Sequence, residues 1–422
     1  MKQNLYTGFL PLYSSTNEAP NEIRLRIRMR DLIDATVLRK AVDTTMERYP
    51  YFCVELQRIE GEYAFVDNPR PVVISNSSEG VALNSKSSNY HMIAFSWFDN
   101  WIILDVFHGL TDATGAYEVI RTLLYYYCSE RYGVRLKDEG IRLVGDDILP
   151  EEWIDPVEAA GELPSLTSPQ MSKALNLMEA AGLQRDPVKT VYSIAIHESE
   201  FMRFNVENDG SPGTMVALFL SKAFAKMYPK KEDAIRIMLC VNQRKAFNTP
   251  LAHQNLVGAA MLEYKEQLKS WPLYRQATAY RGMVFVQSRE EAVLSGANNL
   301  RGISQMLMSK KSNQERQAIA AYIGKMSGAN ITASVSYVGK ANFREAEKYI
   351  RDFRTWTDPS GIALTAQISA VNGCFGIDII QAFSSPIYVN AFLDELDENG
   401  IIYDLKDVAA LQLPIIQLSW NQ

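Results

Sequence analysis

The stretch Trp101-Ile-Ile-Leu-Asp-Val-Phe-His-Gly-Leu-Thr-Asp-Ala-Thr-Gly115 carries the strongest structural signal in the chain. Its first seven residues form an apolar run of strand length, which is typical of a strand buried on both faces. Apolar residues then recur at helical spacing from Val119 to Tyr127, so the pattern predicts a helix that begins near Ala113. His108 therefore stands at the C-terminal end of an interior strand, where α/β folds commonly place reactive groups.

The flanking segments alternate between strand and helix patterns. From Ile23 to Arg30, apolar residues alternate strictly with four arginines, which predicts a strand with one buried and one solvated face. Binding of an anion by these arginines is the less favoured alternative. The next helix follows Asp34 as its N-cap and ends at Tyr49-Pro50. A last apolar strand is expected near 412–419. Strands and helices interleave, so the fold class is α/β, a two-layer α+β arrangement.

A chain of 422 residues exceeds what one hydrophobic core usually serves, which favours two domains. The helix that begins at Pro212 ends at Tyr228-Pro229, much as the first helix ends at Tyr49-Pro50, a weak sign of two related halves. Proline-rich sequence separates them. We therefore predict an N-terminal lobe over 1–165, a crossover linker over 166–189 and a C-terminal lobe over 190–422.

The composition excludes several classes of function. A net charge of −6 argues against a nucleic-acid-binding surface, which needs a basic excess. The four cysteines have no metal-ligand spacing and are expected to be buried, reduced thiols. No window is apolar for long enough to span a membrane, and the N-terminus lacks the apolar run of a signal peptide. We expect a cytoplasmic protein.

His108 is the best candidate for chemistry. A neutral histidine accepts a proton near physiological pH, and general-base assistance contributes roughly 10²–10⁴ in rate. Asp112 follows four residues later and can cap the helix or order the loop that holds the imidazole. His91, His197 and His253 have no partner at a useful spacing. The chain contains no nucleophile elbow, dinucleotide fingerprint, phosphate loop or metal-ligand cluster.

The segment from His108 to Gly115 resembles the His-x-x-x-Asp-Gly signature of the chloramphenicol acetyltransferase-like superfamily. That superfamily includes alcohol acetyltransferases, wax-ester and polyketide-associated acyltransferases, and peptide condensation domains. The resemblance extends to Leu12 through Phe52, to Thr214 through Arg244, and to Ser334-Val-Ser-Tyr-Val-Gly339, and so covers most of the chain.

The resemblance implies two similar halves that form a V-shaped pseudo-dimer with a central cleft or tunnel reaching His108. It implies that His108 is the catalytic base and that Asp112 is structural, paired with Arg244. The loop-orienting residues are then Arg244 and Gly115. The candidates for stabilising an oxyanion or contacting substrate are Ser334, Ser336, Tyr337 and Asn242.

The implied reaction transfers an acyl group from a thioester to a small-molecule alcohol or amine. The donor is acyl-coenzyme A, or an acyl-pantetheine arm with an acyl carrier protein as partner, and no resident cofactor or metal is expected. Lys310, Lys311 and Arg316 either contact the phosphates of coenzyme A or form a solvated loop.

Three departures keep alternatives open. Ala113 replaces the signature glycine, Tyr337 replaces an asparagine, and Phe107 stands where condensation domains usually have a second histidine. The alternatives are a carrier-protein-dependent condensation that forms an amide or ester, and a non-catalytic binding protein on the same scaffold.

Overall fold

The computed structural model describes residues 2–3, 6–59, 62–167, 170–359 and 361–418. Its helices are α1 Phe9–Ser14, α2 Ala35–Arg48, α3 Ala113–Tyr132, α4 Pro156–Ala159, α5 Leu177–Ala181, α6 Glu198–Glu207, α7 Pro212–Met227, α8 Glu266–Lys269, α9 Leu273–Gln287, α10 Glu290–Met308, α11 Asn313–Gly328 and α12 Ile387–Glu398. Its strands are β1 Lys2–Gln3, β2 Glu22–Met29, β3 Val54–Ile59, β4 Glu62–Asp67, β5 Ile74–Asn76, β6 Ile93–Phe98, β7 Trp101–Phe107, β8 Thr190–His197, β9 Arg236–Asn242, β10 Val257–Glu263, β11 Ala333–Tyr337, β12 Ile350–Thr357, β13 Leu364–Val371, β14 Cys374–Gln381 and β15 Tyr403–Ala410.

The N-terminal lobe is built on a five-stranded sheet of order β12-β2-β7-β6-β5. Strand β7 is interior, as its apolar run predicts, and pairs with β2 and β6. Helices α2 and α3 cover one face of the sheet, and their apolar sides join its core. Asp34 caps α2 through the amides of Thr36 and Val37, both at 3.0 Å, as expected from the sequence.

The C-terminal lobe is built on a seven-stranded sheet of order β10-β9-β11-β13-β14-β8-β15. Helices α7, α9 and α12 supply much of its separate apolar core. Helix α7 begins at Pro212 and ends before Tyr228, as predicted. Strands β9, β11 and β13 are neighbours and run parallel, so their C-terminal ends lie at one edge of the sheet.

The predicted boundary at residue 190 does not divide the lobes cleanly. Strand β12 lies within the range assigned to the C-terminal lobe, yet it pairs with β2 from Thr357↔Ile23 to Ile350↔Met29. Because β2 has a free edge on the side away from β7, a later segment can complete the N-terminal sheet there. The two lobes therefore share the chain segment around β12, and the range 190–422 is not one lobe.

Of the four arginines in the alternating pattern, Arg28 and Arg30 are exposed as expected, whereas Arg24 and Arg26 are covered. Arg24 is buried and forms an ion pair with Asp105 at 2.6 Å. The guanidinium of Arg26 lies between Trp101 and Trp356, with its carbon 4.5 Å and 3.9 Å from the ring centroids. The alternation identified two different faces correctly, but other parts of the chain cover the second face at Arg24 and Arg26.

The segments around the lobes differ from expectation in smaller ways. Most of the proposed linker 166–189 is irregular, apart from α5, and residues 168–169 lie outside the described range. The last strand is β15, earlier than expected, and only a bridge from Ile416 to Leu83 marks the predicted strand near 412–419, whose last residue is not described. All four cysteines are free thiols, but only Cys128 is fully buried.

Candidate active site

His108 lies immediately after β7, in a tight turn that leads to α3. Its backbone N–H donates to the carbonyl oxygen of Asn21 at 2.8 Å, and Leu110 N–H donates to Phe107 O at 3.0 Å. The turn therefore continues the pairing of β7 with the segment before β2. This anchoring fixes the backbone of His108 at the end of the strand and leaves its side chain half-buried.

The hydrogen bonds of the imidazole indicate its tautomer. Nδ1 of His108 lies 3.1 Å from the carbonyl oxygen of Thr111. A carbonyl oxygen can only accept, so Nδ1 carries the hydrogen and Nε2 holds the basic lone pair. The amide nitrogen of Asn255 also lies 3.1 Å from Nδ1, and it donates one of its two hydrogens to the carbonyl oxygen of His108 at 3.1 Å. This assignment makes Nε2 the nitrogen able to take a proton.

Asn255 contacts His108, and the sequence analysis did not predict this contact. It lies in the loop between β9 and β10, far from His108 along the chain, and its side chain braces the backbone of His108. The only sequence signal was the polar run His253-Gln254-Asn255 next to Arg244. Such a run is common in loops, so only the folded arrangement identifies it.

Asp112 is fully buried and acts on the loop and helix. Its carboxylate accepts from Gly115 N–H at 3.0 Å, as the N-cap of α3, and from Leu256 N–H at 3.0 Å. Within the described residues, no hydrogen bond joins Asp112 to His108. The carboxylate therefore holds the start of α3 against the loop before β10.

Arg244 forms the ion pair with Asp112 that the sequence led us to expect. Its two terminal nitrogens lie 2.8 Å and 2.9 Å from the two carboxylate oxygens. Its remaining donors reach the carbonyl oxygens of Ala252 at 2.8 Å and Gln254 at 3.0 Å. Arg244 is buried and is therefore not a surface charge. The pair links the His108 loop to the loop that carries Asn255.

The first turn of α3 explains both Gly115 and Ala113. A Cβ at Gly115 would lie 2.3 Å from Oγ1 of Thr111 and 2.5 Å from the carbonyl oxygen of His253, so only glycine fits. Ala113 is the first residue of α3 and has ordinary helical backbone. A glycine is therefore not needed directly after Asp112, and Ala113 introduces no strain.

His108 lines a cavity of about 890 Å³ formed by both lobes. The N-terminal lobe contributes His108 and Thr114, while β9, β11 and β13 of the C-terminal lobe contribute the opposite wall. Asn242 links the two walls, since its amide nitrogen lies 3.4 Å from Oγ1 of Thr114. This volume is within the range of small-molecule sites.

The four residues named as oxyanion or substrate candidates all line this cavity. The hydroxyl of Ser334 donates to Thr365 at 2.8 Å, so its hydrogen is already used. Ser336 interacts with the Cys240 thiol. Burial raises the pKa of Tyr337, so its phenol stays protonated and can donate at neutral pH. Tyr337 and Ser336 are therefore better placed chemically than Ser334 to donate to a developing oxyanion.

The other histidines lie outside the residues that line the cavity. His91 and His253 are buried, and His197 is exposed. His253 packs on Tyr51 and Phe52, and burial lowers its pKa to about 4. Its Nδ1 bonds to the carbonyl oxygen of Glu152 at 2.7 Å.

Arg316 is not available to bind phosphate. It is buried and donates to the Tyr13 hydroxyl at 2.8 Å and to the Lys310 carbonyl oxygen at 2.8 Å. These bonds fix the turn between α10 and α11. Arg316 therefore neither joins Lys310 and Lys311 in a phosphate site nor belongs to a solvated loop, the two alternatives left open by the sequence.

The described residues show neither a metal-ligand cluster nor a membrane-spanning helix. No group of three or more His, Cys, Asp or Glu side chains there is placed to hold a metal ion. None of the helices in that part of the chain is both long and apolar enough to cross a membrane.

Comparison with solved structures gives clear matches, whereas no protein-family model and no curated protein matches the chain. Polyketide synthase associated protein 5 from Mycobacterium tuberculosis aligns at TM-score 0.59 and 13% identity, covering 94% of this chain and 96% of that one. The condensation domain of the Monacolin K polyketide synthase MokA aligns at TM-score 0.57 and 11% identity, covering 93% and 95%. TRI101 of F. sporotrichioides, complexed with coenzyme A and T-2, aligns at TM-score 0.56 and 10% identity, covering 95% and 99%.

These similarities extend over nearly the whole chain and confirm the fold inferred from the sequence. The chain shares its two-lobed α/β fold with these proteins, one of which is a condensation domain. At 10–13% identity the similarity concerns the fold. The chemistry has to be argued from the site itself.

Proposed function

We propose that the protein is an acyltransferase that moves an acyl group from a thioester to a hydroxyl or amine. The observation that carries the proposal is His108, which lines the cavity between the lobes with Nδ1 bound to a carbonyl oxygen. This arrangement leaves Nε2 as the base. The coenzyme A complex of TRI101, which has the same fold, supports a thioester donor.

The mechanism needs no covalent enzyme intermediate. Nε2 of His108 takes the proton from the acceptor oxygen or nitrogen as that atom attacks the thioester carbonyl carbon. The carbonyl oxygen becomes an oxyanion, which hydrogen bonds from Tyr337 or Ser336 stabilise. The tetrahedral intermediate then collapses, the carbon–sulfur bond breaks, and the imidazolium returns the proton to the sulfur. The products are an ester or amide and a free thiol.

Asp112 and Arg244 act in this proposal as positioning residues. Their bidentate pair fixes the loops that hold Thr111 and Asn255 against His108. Neither residue contacts the reacting atoms. Gly115 serves the same purpose by allowing α3 to approach the backbone of His253.

The donor is acyl-coenzyme A or an acyl-pantetheine arm on a carrier protein, and the acceptor is a small alcohol or amine. A condensation reaction with a carrier-bound donor is the second candidate, favoured by the similarity to the MokA condensation domain. Faster turnover of carrier-bound donors than of free acyl-coenzyme A would select it. A non-catalytic scaffold is less favoured, because Ala113 imposes no strain on the motif.

The test is thiol release from acyl-coenzyme A and acyl-pantetheine donors in the presence of pooled small alcohols and amines. Replacing His108 with Ala is expected to lower the rate by about 10²–10⁴, the usual contribution of a general base. His197→Ala, at an exposed histidine, is the matched control and should leave the rate unchanged. Release that is undiminished in His108→Ala would refute the mechanism.

A further inference from the structure

Glu22 is a buried acidic residue that the proposed mechanism does not use. It is the first residue of β2, its side chain is fully buried, and neither of its carboxyl oxygens has a hydrogen-bond donor among the described residues. Burial of an ionised carboxylate without a donor is strongly unfavourable, so a carboxyl in this position is expected to be neutral. Its neighbours on β2 and β7 show how the chain accommodates it.

Arg24, the cation that acts on Glu22, has no donor left for it. Arg24 lies two residues further along the same face of β2, opposite Asp105 of β7. Two of its nitrogens hold the Asp105 carboxylate, at 2.6 Å and 2.9 Å. A guanidinium has five donor hydrogens. The other three donate to carbonyl oxygens of the segments that cover the pair, those of Ser78 at 3.1 Å, Glu79 at 2.6 Å and Gln412 at 2.7 Å. The carboxylate of Glu79 also acts on Arg24 from this side.

Glu22 and Asp105 form a hydrogen bond that requires a proton. In the register of β2 with β7, Glu22 lies opposite Phe107, so Asp105 is its diagonal neighbour on the same face. Burial and the adjacent Asp105 charge raise the pKa of Glu22 well above its usual range, and the two side chains hydrogen bond. Ionised carboxylates only accept, so one of the two must carry a hydrogen. Asp105 already holds Arg24 with both oxygens, and the proton therefore belongs to Glu22.

The pair lies directly behind the turn that carries His108. Asn21, the residue before Glu22, accepts the backbone N–H of His108 at 2.8 Å, and Phe107 opposite Glu22 precedes His108. We infer that Glu22 is a positioning residue, which in its neutral form donates to Asp105 and holds the start of β2 against the end of β7 at His108. Its role in catalysis rests on the proposed function, whereas the shared proton does not.

Stability measurements test the protonation of Glu22 without turnover. In the unfolded chain Glu22 ionises near its usual pKa of 4.5, while the folded protein keeps the proton to higher pH. Each pH unit between these two values therefore favours unfolding of the wild type by up to about tenfold. Glu22→Gln replaces the O–H donor with an N–H donor that does not ionise. Its unfolding constant, relative to that of the wild type, should fall by up to about tenfold per pH unit over the same interval.

Glu152→Gln is the matched control for these measurements. Glu152 is also buried, but its carboxylate accepts from Arg48, twice at 2.9 Å, and from the Tyr51 hydroxyl at 2.6 Å. These donors stabilise the ionised form, so Glu152→Gln should be less stable than the wild type at neutral pH. A similar loss in Glu22→Gln would overturn the inference, as would a difference from the wild type that does not change with pH.

Hydrogen exchange and thiol release test the positioning of His108. In Glu22→Ala the backbone amide of His108 should exchange roughly tenfold faster, as expected for the loss of one buried hydrogen bond, and thiol release should fall. Glu22→Gln should restore both. As Glu22 ionises at alkaline pH, the wild type should lose amide protection and thiol release together, whereas Glu22→Gln should keep them.

Equal exchange of the His108 amide in the wild type and both variants, at every pH, would overturn the positioning role. The same conclusion would follow if Glu22→Gln lost thiol release at the same alkaline pH as the wild type. If no donor releases thiol, the proposed function fails, and the exchange of the His108 amide still decides whether Glu22 positions this turn.

Discussion

At the scale of single residues, the buried charges near His108 hold the loops of the site together. Asp112 has hydrogen bonds from two guanidinium nitrogens and two backbone amides, so its carboxylate is fully satisfied. The carbonyl oxygens bound by Arg244 belong to the loop that positions Asn255. The cost of losing either charged partner is therefore expected to appear in stability as well as in activity.

Replacing Asp112 with Ala should lower the free energy of unfolding by about 3–5 kcal/mol, because Arg244 would be left as an unpaired buried charge. Chemical denaturation monitored by circular dichroism measures this change. The control is Asp43→Ala, which breaks an exposed pair with Arg39 on α2 and should have far less effect. Similar losses in the two variants would contradict the structural role of the Asp112–Arg244 pair.

The buried His253 predicts a pH dependence of stability. Burial lowers its pKa from 6.5 to about 4 in the folded protein, so the unfolded chain binds the proton at higher pH. Keeping this ring neutral therefore costs no stability above pH 6.5. As the pH falls from 6.5 toward 4, the free energy of unfolding decreases by about 3 kcal/mol at most.

Unfolding free energies measured at several pH values between pH 7 and pH 4 would test this effect, because that interval spans the two pKa values of His253. His253→Gln should fall less steeply with pH than the wild type, whereas the exposed His197→Gln should follow the wild type. Parallel curves for all three proteins would show that His253 does not cause the loss.

At the scale of elements, local sequence patterns correctly predicted the strands and helix starts that depend on interactions between neighbouring residues. The apolar run of β7 predicted the strand that ends at His108, and the Asp34 and Pro212 signals predicted the starts of α2 and α7. Strand β12 was missed because Ile350-Arg-Asp-Phe-Arg-Thr-Trp-Thr357 mixes charged and apolar residues. Its partners lie far away in sequence, and no local pattern indicates which sheet a strand joins.

The first turn of α3 offers a test at this scale. Gly115→Ala should destabilise the protein by about 1–3 kcal/mol, because the added methyl overlaps Thr111 and the carbonyl group of His253. Gly296→Ala in α10 has open space around its Cβ and should instead stabilise by about 0.5–1 kcal/mol. Thermal denaturation distinguishes these outcomes, and a stabilised Gly115→Ala variant would contradict the close packing described for this turn.

At the scale of the whole molecule, the resemblance to a family predicted more than residue patterns alone. It supplied the two-lobed fold, the cleft and the Asp112–Arg244 pair, whose partners are 132 positions apart. It did not supply Asn255 or the burial of Arg24 in β2, because these depend on how loops and lobes meet in this particular chain. Arg354 and Trp356 of β12 both reach Asp378 of the other lobe, at 3.1 Å and 2.9 Å.

The shared strand predicts that the lobes unfold together. Phe353 of β12 is buried in the N-terminal core, and its replacement by Ala should cost about 3–5 kcal/mol. Hydrogen exchange at amides of β7 and β14 would then show protection lost equally in the two lobes. Loss confined to β7, or two separate calorimetric transitions in the wild type, would contradict this coupling.

The position of β12 at the edge of the N-terminal sheet also limits how the protein can be divided. A fragment that ends before residue 350 would leave the outer edge of β2 unpaired, exposing a row of backbone donors and acceptors. Such an edge pairs readily with strands of other molecules, so the isolated fragment is expected to aggregate. During synthesis on the ribosome the same edge stays open until most of the chain has emerged, and it is then that the protein most needs a chaperone.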